Sequence, residues 1–357
     1  MRRSVIITSP SLNTDENVSG VSAVTKFIVD NNSECEYLHF TIGKKDDETG
    51  NVLVRIFKLL LVLAKWVRLL GKEKEALIHY NYPLERKSII RDFFFMYYAH
   101  LKKRKIIIHI HGGLFLTKTD RPWVITKILK VVFSWGYPLI VLSENEKELL
   151  SEQFGIDNIT VLPNCVPLDA AACYQRCLGD KDCMDILYIG RIEKNKGIDY
   201  IIEACEGLKD AGIRFRLHIA GKEQEDYLGE IEKRLEKNFI YEGIVSGKDK
   251  DDLMKRCDVF LLPSFYEGLP IALLECMSFG MIPVCTDVGS ISSVVEHGKN
   301  GFIVPLKQSE PIVDVLLELN NNRDIVKELS ENAKKVIFDR FAPENYTRVL
   351  NGLYSLV

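Results

Sequence analysis

One short stretch, which has the pattern of a strand, a polar turn and a helix, limits the possible folds of this chain more than any other. Residues 259–262 form a hydrophobic strand, and Pro270 marks a helix start because its fixed φ and missing N–H suit the first helical position. Glu267 is therefore expected on a loop at the carboxyl end of a strand, and Glu275 on the helix that follows. In open α/β sheets ligands bind in this crevice, and a helix start favours an anion such as phosphate.

Strands and helices alternate along the chain as in Rossmann-like domains. A predicted strand at residues 4–8 is followed by a polar loop and a helix that begins at Gly20, and the same pattern restarts at residue 185. We therefore predict an α/β protein with two such domains. The predicted segments are a first domain at 1–168, a linker at 169–184, a second domain at 185–340, and a helix at 341–357 that returns to the first domain.

Composition fits a globular protein of two domains, with 357 residues, 46% hydrophobic and 27% charged. The nine cysteines are irregularly spaced, which favours buried thiols in a reducing compartment over a disulfide framework. Cys173, Cys177 and Cys183 cluster, but they lack the spacing and the histidine of a metal site, so we expect no metal. We expect no signal peptide, because the N-terminus leads directly into an apolar strand without a signal peptide's hydrophobic core and cleavage site. We also expect no membrane span, because no apolar run reaches roughly 18 residues.

Residues 51–131 carry 17 basic and 5 acidic side chains, although the whole chain has a net charge of −3. A predicted helix at 55–70 places its cations on one face among apolar residues; the cations are Arg55, Lys58, Lys65, Arg68 and Lys72. Packing on a sheet explains the apolar residues. The alternative, favoured by a second basic and aromatic helix at 85–104, is an anionic membrane surface with Trp66 at the interface. Nucleic acid is not expected, because no known binding module is recognisable.

Two further strand ends carry candidate site residues. The strand at 106–110 delivers His111 and two glycines to its carboxyl end, which core packing explains poorly. We place His109 on the opposite side of this strand and expect it to be structural. Arg191 and Lys196 lie in the turn after the strand at 185–190, and two cations aimed at one crevice suit a diphosphate.

The stretch Glu267-Gly268-Leu269-Pro270 followed by Glu275 resembles the signature of retaining GT-B glycosyltransferases of glycosyltransferase family 4, which is Glu, seven residues, Glu. The resemblance is strong over residues 185–305 and moderate over 1–168. Further matching motifs are the His-Gly at 111–112, Pro-Asn at 163–164, Gly-Arg…Lys-Gly at 190–197, Ala-Gly at 220–221 and Asn-Gly at 300–301. The chain departs from the family's Gly-Gly-x-Pro-Glu, since Ser290 and Ser293 replace its second Gly and its Glu.

The resemblance implies two Rossmann-like domains that face each other across a cleft. It also implies transfer of a sugar, with retention of configuration and without a metal or other cofactor, from a nucleoside diphosphate sugar to a hydroxyl. The basic and aromatic first half of the chain favours a glycan or lipid-linked acceptor. We favour UDP-sugars over GDP-sugars as donors. Bacterial polysaccharide or lipopolysaccharide assembly is the expected setting, in the cytoplasm and peripherally on the inner face of the plasma membrane.

By the same resemblance, Glu267 holds the donor sugar, Glu275 the ribose, Arg191 and Lys196 the diphosphate, and His111 lies near the transferred sugar. The further donor-binding candidates are Gly20, Gly190, Gly221, Gly268, Leu269 and Pro270. Two alternatives stay open, a GT-B sugar-nucleotide epimerase and a non-catalytic subunit that binds a nucleotide sugar.

Overall fold

The computed structural model describes residues 2–13, 16–17, 19–43, 51–117, 120–176 and 183–357. Contacts within the chain divide it into two compact units. The first comprises Met1–Asn164 and Tyr346–Val357, and the second comprises Cys165–Asn345. None of the helices in these described ranges is long and apolar enough to cross a membrane.

The first unit is built on a parallel sheet of six strands in the order β2-β1-β3-β4-β5-β6. Its strands are β1 (Arg3–Ser9), β2 (Cys35–Thr41), β3 (Leu77–Tyr82), β4 (Ile106–Ile110), β5 (Leu139–Val141) and β6 (Ile159–Val161). Its helices are α1 (Gly20–Asn31), α2 (Val52–Lys72), α3 (Arg86–Leu101), α4 (Leu114–Thr117), α5 (Trp123–Phe133) and α6 (Glu144–Phe154). Ser19 caps α1 by accepting a hydrogen bond from the N–H of Ser22, which explains why the helix begins at Gly20.

Helices α2, α3 and α5 pack side by side against one face of this sheet. Trp66 of α2 is fully buried there, and its indole N–H donates to the carbonyl oxygen of Phe95 at 3.0 Å. The prediction that Trp66 lies at a membrane interface is therefore wrong. Tryptophan buries its indole where the N–H finds a partner, and Phe95 of α3 supplies one.

The second unit has a parallel sheet of six strands in the order β12-β11-β10-β7-β8-β9. These strands are β7 (Met184–Ile189), β8 (Phe215–Ala220), β9 (Phe239–Gly243), β10 (Val259–Leu262), β11 (Ile282–Thr286) and β12 (Phe302–Val304). The helices from residue 169 onwards are α7 (Asp169–Ala172), α8 (Ile198–Asp210), α9 (Leu228–Leu235), α10 (Gly247–Arg256), α11 (Ile271–Ser278), α12 (Glu310–Asn321), α13 (Arg323–Arg340) and α14 (Pro343–Leu356). Strand β10 pairs with β7 and β11, so the loops after these three strands emerge at one edge of the sheet.

The last residues of α14 belong to the first unit. The hydroxyl of Tyr354 lies 2.7 Å from Nδ1 of His79, and Nε2 of His79 lies 3.1 Å from Nδ1 of His109. Asn351 of the same helix accepts a hydrogen bond from Asn32 at 2.7 Å. We call His79, His109 and Tyr354 the histidine chain. Its three side chains are buried, and burial lowers the pKa of His79 from 6.5 to about 4.

Because of this histidine chain, we predict that acid lowers the stability of the first unit. Below pH 6.5 the unfolded chain binds a proton at His79, whereas the folded protein keeps this ring neutral down to about pH 4. The free energy of unfolding should therefore fall by about 3 kcal/mol through this group as the pH drops across that window. Denaturant unfolding at several pH values measures this slope. The slope should become smaller in His79→Gln and stay unchanged in His297→Gln, a control in the second unit.

Candidate active site

The loop after β10 holds an ion pair that joins two of the predicted site residues. Nζ of Lys196, in the turn after β7, lies 2.7 Å from Oε1 of Glu267. The side chains are 21% and 11% exposed, so both charges remain within reach of solvent at the strand ends. The backbone N–H of Phe265 donates to the carbonyl oxygen of Asn195 at 2.9 Å, which ties the two loops together.

A glycine makes this close approach of the two loops feasible. Gly197 has a φ of +75°, and a Cβ atom at this position would lie 2.1 Å from the carbonyl oxygen of Pro263. Any side chain would push the turn after β7 away from the loop after β10. Gly197 therefore positions Lys196 beside Glu267.

Strand β7 ends just before Gly190, and Arg191 is the next residue. Its carbonyl oxygen accepts a hydrogen bond from the hydroxyl of Tyr188 at 2.5 Å. Burial raises the pKa of Tyr188 well above its ordinary value, so this phenol stays protonated and keeps donating. The backbone of Arg191 is thus held at the carboxyl end of β7.

Gly190 and Gly221 form a second close backbone approach, between the ends of β7 and β8. The φ of Gly221 is +138°, and a Cβ atom there would lie 1.9 Å from the carbonyl oxygen of Gly190. The N–H of Gly190 donates to Ala220 at 3.0 Å, and that of Gly221 donates to Gly243 at 2.7 Å. Backbone packing by itself requires glycine at 221. A donor-binding role for the two residues stays a prediction.

Glu275 pairs with a residue that sequence reasoning missed. Oε1 of Glu275, on α11, is hydrogen-bonded to Nζ of Lys250, on α10, and the two side chains are 17% and 24% exposed. The two residues are 25 positions apart and give no local spacing signal, so only the fold could show this pair. Glu275 and Glu267 therefore each have a lysine partner of their own.

Helix α11 begins one residue later than predicted. Ile271 is its first residue and Pro270 is the N-cap, with φ −66° and ψ 125°. The carbonyl oxygen of Pro270 accepts from the N–H of Leu274, and the side chain of Pro270 makes no capping hydrogen bond. The N–H groups of the first turn are thus left for another acceptor, which suits an anion.

The loop after β11 contacts and supports the residues just after Glu267. The N–H of Ser290 donates to the carbonyl oxygen of Gly268 at 2.9 Å. Gly289 has a φ of +61°, and a Cβ there would meet the carbonyl oxygen of Glu267 at 2.2 Å. Leu269 is 3% exposed, so its side chain belongs to the core and any ligand contact would use its backbone. Ser290, which replaces the second Gly of the family's Gly-Gly-x-Pro-Glu, thus supports the loop after β10 through its backbone.

His111, in the first unit, has a defined tautomer. Its Nε2 lies 2.7 Å from Oδ1 of Asn81, while Nδ2 of Asn81 donates to Thr8 at 2.7 Å and to Thr25 at 2.9 Å. These two donations orient the amide, so its oxygen accepts from His111 and Nδ1 of that ring keeps its lone pair. Loss of solvation lowers the pKa of His111 to about 3, so Nδ1 can accept a hydrogen bond from a hydroxyl.

Two predictions about this strand end are wrong. The rings of His109 and His111 have centroids 4.0 Å apart and so lie on the same side, because residues i and i+2 of a strand share a face. His109 is fully buried. The second of the two following glycines does have a packing reason, since a Cβ at Gly113 would lie 2.7 Å from the backbone of Leu84. Gly20, by contrast, has no atom within 4 Å of where its Cβ would be.

The eight cysteines in the described residues are free thiols, and six of these are buried. Cys177 lies outside the described residues. Within them, no group of three His, Cys, Asp or Glu side chains is placed to hold a metal ion.

Comparison with known proteins bears directly on the second unit. Residues 179–336 match the family model described as glycosyl transferases group 1. This range contains Arg191, Lys196, Lys250, Glu267 and Glu275.

Curated relatives match the chain over different lengths. An uncharacterized glycosyltransferase of Methanocaldococcus jannaschii is 28% identical over 51% of this chain and 48% of its own length. The Salmonella typhimurium protein WcaL, which its name assigns to colanic acid biosynthesis, is 27% identical over 49% and 45%. The chain thus spans about half the length of these two relatives. An Escherichia coli UDP-Gal:alpha-D-GlcNAc-diphosphoundecaprenol alpha-1,3-galactosyltransferase is 24% identical over 81% of this chain and 76% of its own length.

Among solved structures, Anabaena HepE in complex with UDP and glucose superposes on all of this chain and all of its own, with a TM-score of 0.77 at 16% identity. The chain has the GT-B glycosyltransferase fold. The predicted α/β architecture with two Rossmann-like units is thereby confirmed. Together with the family match, these comparisons support a GT-B glycosyltransferase.

Proposed function

We propose that this GT-B protein transfers a sugar, with retention of configuration, from a nucleoside diphosphate sugar to a hydroxyl of a glycan or lipid-linked acceptor. The observation that carries the proposal is the ion pair between Lys196 and Glu267 at the adjoining ends of β7 and β10, with Arg191 in the same turn as the lysine. The arrangement offers positive charge for a diphosphate next to a carboxylate for sugar hydroxyls.

In the proposed reaction the acceptor hydroxyl attacks the anomeric carbon as its bond to the diphosphate oxygen breaks. Negative charge develops on the leaving diphosphate, and a diphosphate oxygen takes the acceptor proton. Arg191, Lys196 and the N–H groups at the start of α11 stabilise that charge, as preorganised donors do at other leaving groups. The proposal needs no metal and no further cofactor.

The carboxylates have separate roles in this proposal. Glu267 accepts hydrogen bonds from hydroxyls of the donor sugar and orients the oxocarbenium-like centre. Glu275, paired with Lys250, accepts them from the ribose. In the first unit, His111 offers the lone pair on its Nδ1 to a sugar hydroxyl, and Asn81 keeps it in that tautomer.

Relatives support a UDP-sugar as the donor. HepE was crystallised with UDP, and the Escherichia coli relative is named for UDP-Gal and for an acceptor linked to diphosphoundecaprenol. By similarity to that relative, we propose a role in bacterial cell-surface polysaccharide or lipopolysaccharide assembly, on the cytoplasmic side of the membrane.

A thermal-shift panel with UDP, GDP, CDP, ADP and their common sugar conjugates tests the donor site. A ligand at about 100 times its Kd stabilises the folded protein by roughly 2.7 kcal/mol, which raises Tm by several degrees in a unit of this size. We expect a shift with uridine nucleotides that is lost in Arg191→Ala. A shift with another base names a different donor class, and no shift with any nucleotide contradicts the site.

Product analysis separates this proposal from its two alternatives. A glycosyltransferase supplied with donor releases UDP, slowly to water and rapidly to an acceptor. An epimerase instead returns a sugar nucleotide of altered configuration, and a non-catalytic subunit binds donor without consuming it. Glu267→Gln should abolish UDP release while leaving the thermal shift by UDP intact, because this side chain contacts the sugar.

A further inference from the structure

An unusual share of the exposed apolar surface lies on one side of the first unit. Of the eighteen large hydrophobic side chains exposed in the described ranges, thirteen belong to α2, α3 and α5. Because these helices bury their inner sides in one core cluster against the sheet, their outer sides face away from it together. We call this surface, formed by the exposed residues of α2, α3 and α5, the outer helical face.

Helix α2 carries a second apolar stripe in addition to the one it buries. Phe57, Leu60, Leu61 and Ala64 are exposed and follow the spacing i, i+3, i+4, i+7, which places them on one side of the helix. Phe57 is 62% exposed and Leu60 is 57% exposed. A helix that only packed on its own sheet would have polar residues there.

The neighbouring helices continue this apolar surface. Exposed residues of α3 recur at i, i+4, i+7 and i+11; they are Ile90, Phe94, Tyr97 and Leu101. Trp123, at the start of α5, is 74% exposed and lines a shallow hollow of about 530 Å³ together with Lys127 and Lys130. Apolar patches of this kind on a protein surface mark interaction sites.

The charges on the outer helical face have one sign. Its exposed cations are Arg55, Lys58, Lys65, Arg68, Lys72, Arg86, Lys87, Lys127 and Lys130. Helices α2 and α5 contain no acidic residue, and the single one of α3, Asp92, is buried and paired with Arg91 at 2.6 Å. Glu73 and Glu85 stand just beyond the helix ends.

We propose that the outer helical face docks on an anionic lipid bilayer. Amphipathic helices with Lys and Arg beside Trp, Phe and Leu bury their apolar side chains about 5–10 Å into the boundary between headgroups and acyl chains. Phe57, Leu60, Leu61 and Trp123 enter that boundary, and the surrounding cations contact the phosphates of the headgroups. This docking site lies outside the candidate donor site and does not depend on the proposed reaction.

Charge decides between a bilayer and a second copy of this chain. A symmetric dimer through the outer helical face would place the same cations opposite one another, and like charges in contact repel. An anionic bilayer instead supplies phosphates across the whole surface, and each Lys or Arg near it strengthens binding by roughly fivefold.

Flotation of the full-length protein with vesicles tests the docking. Mixed phosphatidylcholine and phosphatidylglycerol vesicles should bind it, whereas pure phosphatidylcholine or high salt should weaken binding at least about tenfold. Reversing three cations of α2 should weaken it by about 100-fold. The variant is Lys58→Glu/Lys65→Glu/Arg68→Glu, and the matched control reverses exposed lysines of the second unit, Lys209→Glu/Lys248→Glu/Lys299→Glu.

A second pair of variants tests insertion. Phe57→Ser/Leu60→Ser/Leu61→Ser should lose binding, and the control Leu306→Ser/Val349→Ser/Leu356→Ser should keep it. Emission from Trp123 should shift to the blue and be quenched by lipids brominated on their acyl chains, an effect that Trp123→Phe removes. All variants should retain the thermal shift with UDP, so failure of the donor site and failure of docking are seen separately.

Three results would each overturn the proposal. One is a lack of binding to anionic vesicles by the wild-type protein. Another is binding that the α2 variants do not change, because the contact would then lie elsewhere on the chain. The third is dimerisation in sedimentation velocity that the α2 variants abolish, because a second copy would then be the occupant.

Discussion

Arg191→Ala should lower kcat for sugar transfer by about 100-fold or more, with only a small change in stability. The backbone of Arg191 is held by Tyr188, so the substitution removes a charge without moving the turn. Losing one preorganised group that stabilises developing charge costs roughly 10²–10³ in kcat. Steady-state kinetics with the donor identified by the nucleotide panel measures this effect.

Two variants serve as controls for this result. Lys194→Ala removes an exposed cation from the same turn and should leave activity within about threefold, because general charge steering alone has a small effect. Arg191→Lys keeps the charge but loses the fork that binds two phosphate oxygens, so its rate should lie between the other two. If Arg191→Ala turned over like the wild-type protein, Arg191 would not stabilise the diphosphate.

Gly197→Ala should unfold at a Tm lower by at least about 5 °C and should bind UDP more weakly. Alanine at a φ of +75° is strained, and its Cβ would in addition collide with the carbonyl oxygen of Pro263 at 2.1 Å. Relief requires the turn after β7 to move away from the loop after β10, which separates Lys196 from Glu267. Overpacking of this kind costs about 1–3 kcal/mol beyond the strain, equal to several degrees in a unit of this size.

Gly212→Ala isolates the contribution of the close approach. Gly212 has nearly the same φ, +73°, but no atom lies within 4 Å of where its Cβ would be. It should therefore show only the strain of the left-handed backbone, about 1–2 kcal/mol, with UDP binding unchanged. Equal losses of Tm and of UDP binding in the two variants would mean that the turn adapts, and Gly197 would then have no positioning role.

The order of strands and helices follows from the sequence because each element has a local signal. Continuous apolar runs predicted β4 and β10, and the helix predicted at 341–357 corresponds to α14 (Pro343–Leu356). The turn chemistry was also readable, except that Pro270 caps α11 instead of opening it. Proline fixes only its own φ and lacks an N–H, and both positions satisfy these constraints.

Side-chain partners were readable only where they are close in sequence. The pairing of Lys196 with Glu267 spans 71 residues, and that of Glu275 with Lys250 spans 25, so no periodicity relates them. The reasons for glycine at 113, 197 and 221 are likewise approaches by a distant strand or loop. Trp66 was misplaced because burial depends on neighbouring elements that a local pattern does not contain. His109 was misplaced although the alternation of side chains along a strand already puts it on the same side as His111.

The sequence by itself determined the α/β class, the strand ends that carry Arg191, Lys196, Glu267 and His111, and the excess of positive charge over residues 51–131. These features depend on apolar periodicity, turn residues and charge counts, which are local properties of the chain. The tertiary structure alone decided which charges pair, which tautomer His111 adopts, and which side of α2 stays exposed. Each of those depends on packing between elements far apart in sequence, where burial and hydrogen-bond geometry are set by the fold as a whole.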